Sequence, residues 1–389
     1  MESDLKSKDW IVVGAGLTGL SCAQKIENQT DGNCILLEQS NELGGALKTE
    51  TFENDYLLDH GFQVLLPAYS ELKKWGNLGD LNLHYFESGA IIHSPRGQTK
   101  ICDPLKYPSE IFNTLFSSVG SIQDKLLVVK LLTQVRWRSD SELLTQSLGS
   151  SLSFLRKFGF SEDMIQNFWQ PFFSGIFLED QLKTEASYLQ FLFKMFSLSP
   201  VAVPEQGISA LPKQMAKKLK KTDIQLNKKV TLIEKDRVYL SDGTVIKGNP
   251  IDARPIQIGQ WGLVTTLYYA AEVSPISGPW LVLNSRNLNR LVNHVAVMSE
   301  VSPSYAKKGD ALISVNVLKT NLSELDLARI QLDLKSMFGT EVNRWRFLKS
   351  FEIPQALPLY LNSMQNEVTP SQQGAFMRAE QLLKNQMNF

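Results

Sequence analysis

The chain has 389 residues, of which 43% are hydrophobic and 21% charged. At roughly 100–200 residues per domain this is core for about two or three domains, and the ordinary Gly and Pro contents exclude collagen, coiled coil and long disordered tails. Lys plus Arg (40) balance Asp plus Glu (40), so no net field favours a polyanion and a dedicated nucleic-acid binder is excluded.

Cys22, Cys34 and Cys102 form no C-x-x-C pair, which points to a reducing compartment. With only His60, His84, His93 and His294 beside them, no metal site is expected. Residues 1–9 lack the apolar core of a signal peptide, and no apolar run approaches the ~18–20 residues that span a bilayer. A cytoplasmic protein is expected.

Trp10–Val13 is a short β-branched run of the kind found in buried parallel strands. It leads directly into Gly14-Ala15-Gly16-Leu17-Thr18-Gly19, a G-x-G-x-x-G loop, and then into a helix over Leu20–Asn28. A second buried strand near Ile35–Leu37 ends in Glu38, 24 positions after Gly14. Strand, glycine turn, helix, strand and acid together form a dinucleotide fingerprint. Gly14 permits the tight turn, Gly16 lets a pyrophosphate approach the backbone, and Gly19 allows close helix–strand packing. The helix start offers free N–H groups to phosphates, and Glu38 can accept from both hydroxyls of a ribose.

Beyond Glu38 and Gln39 the chain reads Gly44-Gly45-Ala46-Leu47-Lys48-Thr49, then Asp59-His60-Gly61-Phe62-Gln63-Val64. These residues resemble the flavin-containing amine oxidase, phytoene desaturase and protoporphyrinogen oxidase superfamily. The resemblance continues through Phe168–Leu178, Val203–Gly207, Leu312–Asn316 and Ile353–Pro358. It implies FAD, with Gly44, Gly45 and Ala46 under the pyrophosphate and ribityl chain and Gly61, Phe62 and Gln63 near the isoalloxazine ring. It also makes His60 a candidate for proton transfer, although a structural histidine is the commoner case.

From Lys106 to Pro200 the pattern is helical, and twelve of the twenty Phe residues fall there, either as ordinary core or as the wall of an apolar site. Leu211–Lys221 reads as a helix with a basic face, solvated by default and membrane-facing as the lesser alternative. Ile224–Ile246 reads as a β-meander turning at Asp242-Gly243. The resemblance returns this meander to the FAD domain, with the Val230 backbone at the adenine. Strands are expected at Leu263–Tyr269, Trp280–Leu283 and Leu312–Val317, and a helix over Ser323–Phe338 stopped by Gly339.

Two stretches depart from the family pattern. Val245–Pro255 carries Pro250 and Pro255 where relatives run a further strand into an Ala-Thr-rich turn. Near the C-terminus a helix opening, Ser371 to Ala375, is preserved, but Met364-Gln365 stands where relatives carry Gly-Asp. Gln365 would offer the ribityl chain a neutral rather than a charge-assisted bond, and Gln373, Gly374 and Ala375 would aim a helix N-terminus at the flavin.

The expected fold is α/β, a Rossmann-like FAD-binding domain of parallel sheet plus meander with an α+β substrate domain inserted. Its FAD-binding part would comprise residues 1–64, 205–258 and 352–389, and the substrate part 65–204 and 259–351. The expected activity is FAD-dependent oxidation of an apolar or amine-bearing small molecule by hydride transfer to flavin N5, with an acceptor such as O₂ or a quinone reoxidising the flavin. A non-catalytic, cofactor-deficient member of the fold is the alternative.

Overall fold

The computed structural model describes residues 9–102, 106–107, 117–255, 260–285, 290–359 and 372–387. Its first strand, β1 (Trp10–Val13), is buried on both faces because it lies inside a parallel sheet. Helix α1 (Leu17–Gln29) returns the chain to β2 (Cys34–Leu37), which pairs with β1 residue for residue. The chain then makes a hairpin, β3 (Thr49–Phe52) with β4 (Tyr56–Asp59), and a short helix α2 (Ser70–Trp75). After β5 (Leu83–Tyr85) come β6 (Gly89–Ser94) and β7 (Gly97–Cys102), an antiparallel pair.

A helical layer follows: α3 (Ile122–Arg136), α4 (Asp140–Leu144), α5 (Ser151–Phe158), α6 (Gln170–Phe177) and α7 (Ala186–Leu198). Ser121 with Asp124, and Ser139 with Glu142, form reciprocal capping boxes that start α3 and α4. A π-helical turn, Ile165–Trp169, leads into α6.

The chain returns through β8 (Ala202–Pro204), α8 (Ala210–Lys218) and β9 (Asp223–Gln225). The meander is β10 (Val230–Ile233), β11 (Arg237–Leu240) and β12 (Val245–Lys247). The Ile224 burst does not belong to it, because β9 pairs in parallel with β2.

One expected departure is corrected. Asn249–Asp252 forms β13, the parallel partner of β1, so the strand is present despite Pro250. It is an edge strand in the order β13-β1-β2-β9. The Asn249 N–H reaches the Asp9 oxygen just ahead of β1 and the Ala253 N–H the Val13 oxygen, and by alternation Pro250 falls where no donor is required. Residues 256–259, and Met364, Gln365 and Ser371 of the second departure, lie outside the described residues.

A seven-stranded sheet, ordered β18-β14-β17-β16-β15-β6-β7, supports the other half. Its late strands are β14 (Trp261–Ala271), β15 (Leu281–Asn284), β16 (Val292–Val297), β17 (Ala311–Val317) and β18 (Arg346–Pro358). The expected boundary at residue 352 falls inside β18. The sequence reading missed β16, whose Asn293 and His294 interrupt the apolar pattern although every residue of the strand is buried. One face of the sheet buries Val295, Val297, Ile313, Val315 and Val317 under α9 (Glu324–Phe338), which is capped by Ser323 and ended by Gly339 as expected. The last described helix, α10 (Gln372–Met387), packs on α1 through Phe376, Ala379 and Leu383.

Candidate functional site

Gly14 turns at φ +99°, and a Cβ on Gly19 would sit 1.8 Å from the Gly14 carbonyl oxygen, so α1 abuts β1 with no room for a side chain. The first helical bond of α1 runs from the Leu20 N–H to the Gly16 oxygen, and neither a side-chain cap nor a first-turn acid occupies the helix start. A second bare loop lies alongside. A Cβ on Gly45 would meet the Gly16 Cα at 3.2 Å, and the Gly44 N–H donates to the Ala15 oxygen. The two loops form a slot of exposed backbone suited to a pyrophosphate.

Glu38 ends β2 and is buried. Its Oε2 accepts from the Ala15 N–H at 2.8 Å, and its Oε1 accepts from the N–H and hydroxyl of Ser40 at 2.9 and 2.8 Å. A carboxylate offers about four lone-pair positions. The two N–H groups occupy two of them, and the single Ser40 hydroxyl proton is shared with the Glu42 oxygen at 2.7 Å, so at least one position remains for a ribose hydroxyl.

A single cavity of about 1870 Å³ joins this slot to the helical layer. Gly14, Gly16, Leu17, Thr18, Glu38, Gln39, Gly44, Gly45 and Ala46 line one end; His60, Gly61, Phe62, Gln63, Val230 and Ala375 line it farther along. Ala15, Gly19, Gln373 and Gly374 are not in the wall. On α10 the wall residues are Gln372, Ala375 and Arg378, at i, i+3 and i+6, so buried Gln373 and Gly374 turn away. The Thr18 hydroxyl donates to the Ala375 oxygen at 3.1 Å, tying the two helices at the cavity. Gln63 donates to the Ala46 oxygen (2.7 Å) and the His60 oxygen (2.9 Å), clamping the Gly45 loop to the Gly61 loop.

His60 stacks on Phe351 at 4.3 Å and lies 3.5 Å from the Glu50 carboxylate. Burial lowers the imidazole pKa, and Glu50 only partly restores it. Two wall residues escaped the sequence reading. Arg254 pairs with Asp252 through two 2.8 Å bonds and reaches the Val230 oxygen at 3.3 Å, tying β13 to the meander. Burial works to raise the Asp252 pKa, but the Arg254 bonds outweigh it and hold the carboxyl below its ordinary value. Arg378 lines the cavity one turn beyond Ala375. No short motif flags either arginine, since the Val230 oxygen that Arg254 reaches and the Asp252 oxygen that Arg378 reaches are brought to them only by the fold.

The aromatic stretch divides between the two expected roles. Trp169, Phe173, Phe177 and Phe191 are core, at 0–1% exposure. Phe168, Phe172, Phe193 and Phe196 line the cavity, with Phe168 and Phe172 stacked at 5.7 Å.

The family described as flavin containing amine oxidoreductase matches residues 17–254. The chain belongs to this family. No curated protein matches the sequence. Solved structures of similar fold include an oxidoreductase from Methanosarcina mazei, 14% identical with a TM-score of 0.74, covering 97% of this chain and 100% of that one. Putrescine oxidase bound to putrescine is 15% identical with a TM-score of 0.69, covering 99% and 100%. Reduced UDP-galactopyranose mutase is 13% identical with a TM-score of 0.67, covering 98% and 96%. At these identities the likeness concerns the fold.

FAD is the cofactor of this flavin amine oxidoreductase, and the described residues fit it. The paired glycine loops leave backbone where side chains would block a dinucleotide, and Glu38 keeps acceptor capacity beyond its bonds to Ala15 and Ser40. Among the described residues no cluster of His, Cys, Asp and Glu could hold a metal ion, and no helix is long and apolar enough to cross a membrane.

Proposed function

We propose that this flavin amine oxidoreductase oxidises a large, predominantly apolar small molecule. The carrying observation is the continuous cavity, which runs from the dinucleotide slot to the wall of Phe168, Phe172, Phe193 and Phe196. Bound FAD supplies a two-electron acceptor for a hydride. The chain's own residues do the rest. Gly14, Ala15, Gly16, Leu17, Thr18 and Gly19 cradle or shape the pyrophosphate site, with Gly44, Gly45 and Ala46 opposite. Glu38 and Gln39 mark the ribose end, Val230 the adenine end, and Gly61, Phe62, Gln63 and the α10 start around Ala375 the ring end. His60 is assigned to proton movement beside Gly61. The aromatic wall excludes water and orients the substrate by shape.

A lipid surface is the proposed source of substrate. Ile122, Leu126 and Val129 form an exposed apolar stripe on α3, and Trp137 beyond it is 89% exposed. Leu126, Val129, Arg136 and Trp137 also line the cavity, so the stripe lies at its opening. Leu126→Gln with Trp137→Gln is expected to reduce co-sedimentation with phosphatidylglycerol vesicles. Unchanged sedimentation would remove the lipid reading.

The cofactor test is the visible spectrum of protein purified without added FAD, followed by denaturation and identification of what is released. A two-banded oxidised-flavin spectrum releasing FAD is expected. Colourless protein that refuses added FAD would favour the non-catalytic scaffold.

A further inference from the structure

The floor of the cavity carries a polar row in otherwise apolar surroundings. Thr266, Asn316 and His294 are direct partners across β14, β17 and β16, so they share one face of the sheet, with Leu283 next in line. Asn316 and His294 are cavity-wall residues, and both are buried, at 0% and 4% exposure.

Hydrogen bonds fix how each side chain is presented. Asn293 Nδ2 donates to the Pro171 oxygen at 3.1 Å and lies 2.9 Å from His294 Nδ1. A donor at that distance makes Nδ1 the acceptor, so in the neutral ring the proton resides on Nε2. Burial holds the imidazole near pKa 3, so neutral is its working form. Nε2, on the opposite side of the ring, has no partner. The Thr266 hydroxyl donates to Asn316 Oδ1 at 2.6 Å, and Asn316 Nδ2 donates to Ser314 Oγ at 3.2 Å. The second Nδ2 hydrogen has no acceptor among the described residues.

A buried donor without a partner costs about 1–3 kcal/mol. His294 Nε2 is such a donor, and Asn316 Nδ2 at the adjacent register position holds one hydrogen beyond its bond to Ser314; a ligand acceptor in the cavity they line would serve both.

We propose that His294 and Asn316 form a hydrogen-bonding anchor for a neutral acceptor group of the substrate, a carbonyl or ether oxygen, whose apolar remainder lies along Phe168 and Phe172. This rests on the apolar-substrate reading above and narrows it away from amines. An ammonium group would bring further donors to donors. Among the described wall residues the acids are Glu38 at the dinucleotide end and Glu87 in the β5–β6 connection, which accepts from the Tyr107 hydroxyl, while Lys125 and Arg136 of α3 also line the cavity.

The test uses the full-length holoprotein with three probes of equal chain length, 2-decanone, decane and decylamine, followed by tryptophan fluorescence. The ketone is expected to bind about five- to tenfold more tightly than decane, the worth of one or two neutral hydrogen bonds. His294→Leu and Asn316→Leu should each reduce that preference without weakening decane binding, and His294→Gln, which keeps a donor, should restore part of it. The infrared carbonyl stretch of bound 2-decanone gives a second reading that needs no variant; it should lie below its position in hexane. An unshifted stretch, a preference surviving both leucine variants, tightest binding by decylamine, or no binding by any probe would each overturn the anchor. Flavin content is read separately by absorbance, so loss of the anchor and loss of the oxidoreductase reading are distinguishable.

Discussion

Glu38 does two jobs at once. Its carboxylate holds the Ala15 N–H and the Ser40 turn in place and keeps acceptor capacity for the ribose. Glu38→Ala would therefore loosen the loop as well as remove a ligand contact. FAD affinity should fall about 10- to 100-fold, the equivalent of one charged hydrogen bond, measured by fluorescence titration of apoprotein. Gly19 tests a different demand, that of space. Gly19→Ala forces a Cβ against the Gly14 oxygen and should cost about 3 kcal/mol or more in urea unfolding. Gly79→Ala, whose added Cβ meets only the Asn77 side chain at 3.5 Å, should stay within about 0.5 kcal/mol. The three glycines of the fingerprint were legible from spacing. Arg254 and Arg378 were not, because the cavity wall they share is assembled from segments distant in sequence.

At the scale of elements, α10 shows how one packing face positions a site. Phe376 is fully buried and stacks on Trp75 of α2, while Ala379 and Leu383 continue the same buried face. Packing that face leaves Gln372, Ala375 and Arg378 on the cavity wall. Phe376→Ala should cost about 3–5 kcal/mol in chemical unfolding and release FAD at lower denaturant than the wild type. The comparison of flavin release with the loss of helical circular dichroism checks that order. The helix was readable from its sequence, but the rotation that turns Gln373 and Gly374 inward was not, since it is set by α1 and α2. Strand β13 makes the same point. Pro250 argues against a strand until its edge position removes the need for its missing N–H.

For the whole molecule, buried titratable groups set the response to acid. His294 and His93 have pKa values pushed down to about 3 and about 4, in both cases chiefly by burial. Their contribution to stability is complete above the ordinary histidine value near 6.5 and is lost as pH falls below it, by at most ~1.4 kcal/mol per pH unit for His294. Asp59 works in the opposite direction. Burial lifts it to about 6, against bonds from Thr49, Ile208 and Tyr305, so its contribution is present below about pH 4 and lost as pH rises through 6. Two groups outweigh one between pH 4 and 6. The melting temperature should therefore fall on acidification from pH 7 to 5, and His294→Gln should make that fall shallower. A melting temperature that rises in acid would contradict the assignment.

Local physics decided what the sequence could determine alone. A glycine loop after a buried strand, an acid at the end of the next strand and a Gly-Gly turn are short-range demands of a dinucleotide on the backbone, so they specified the cofactor class and the parallel half of the fold. The tertiary structure decided everything that depends on which faces meet. It separated the Phe residues into core and cavity wall, placed β18 across β14, and brought His294 from an unrecognised strand beside Asn316. Those outcomes follow from long-range strand pairing and helix packing. Residues that share one cavity wall here are up to hundreds of positions apart, and no periodicity along the chain connects them.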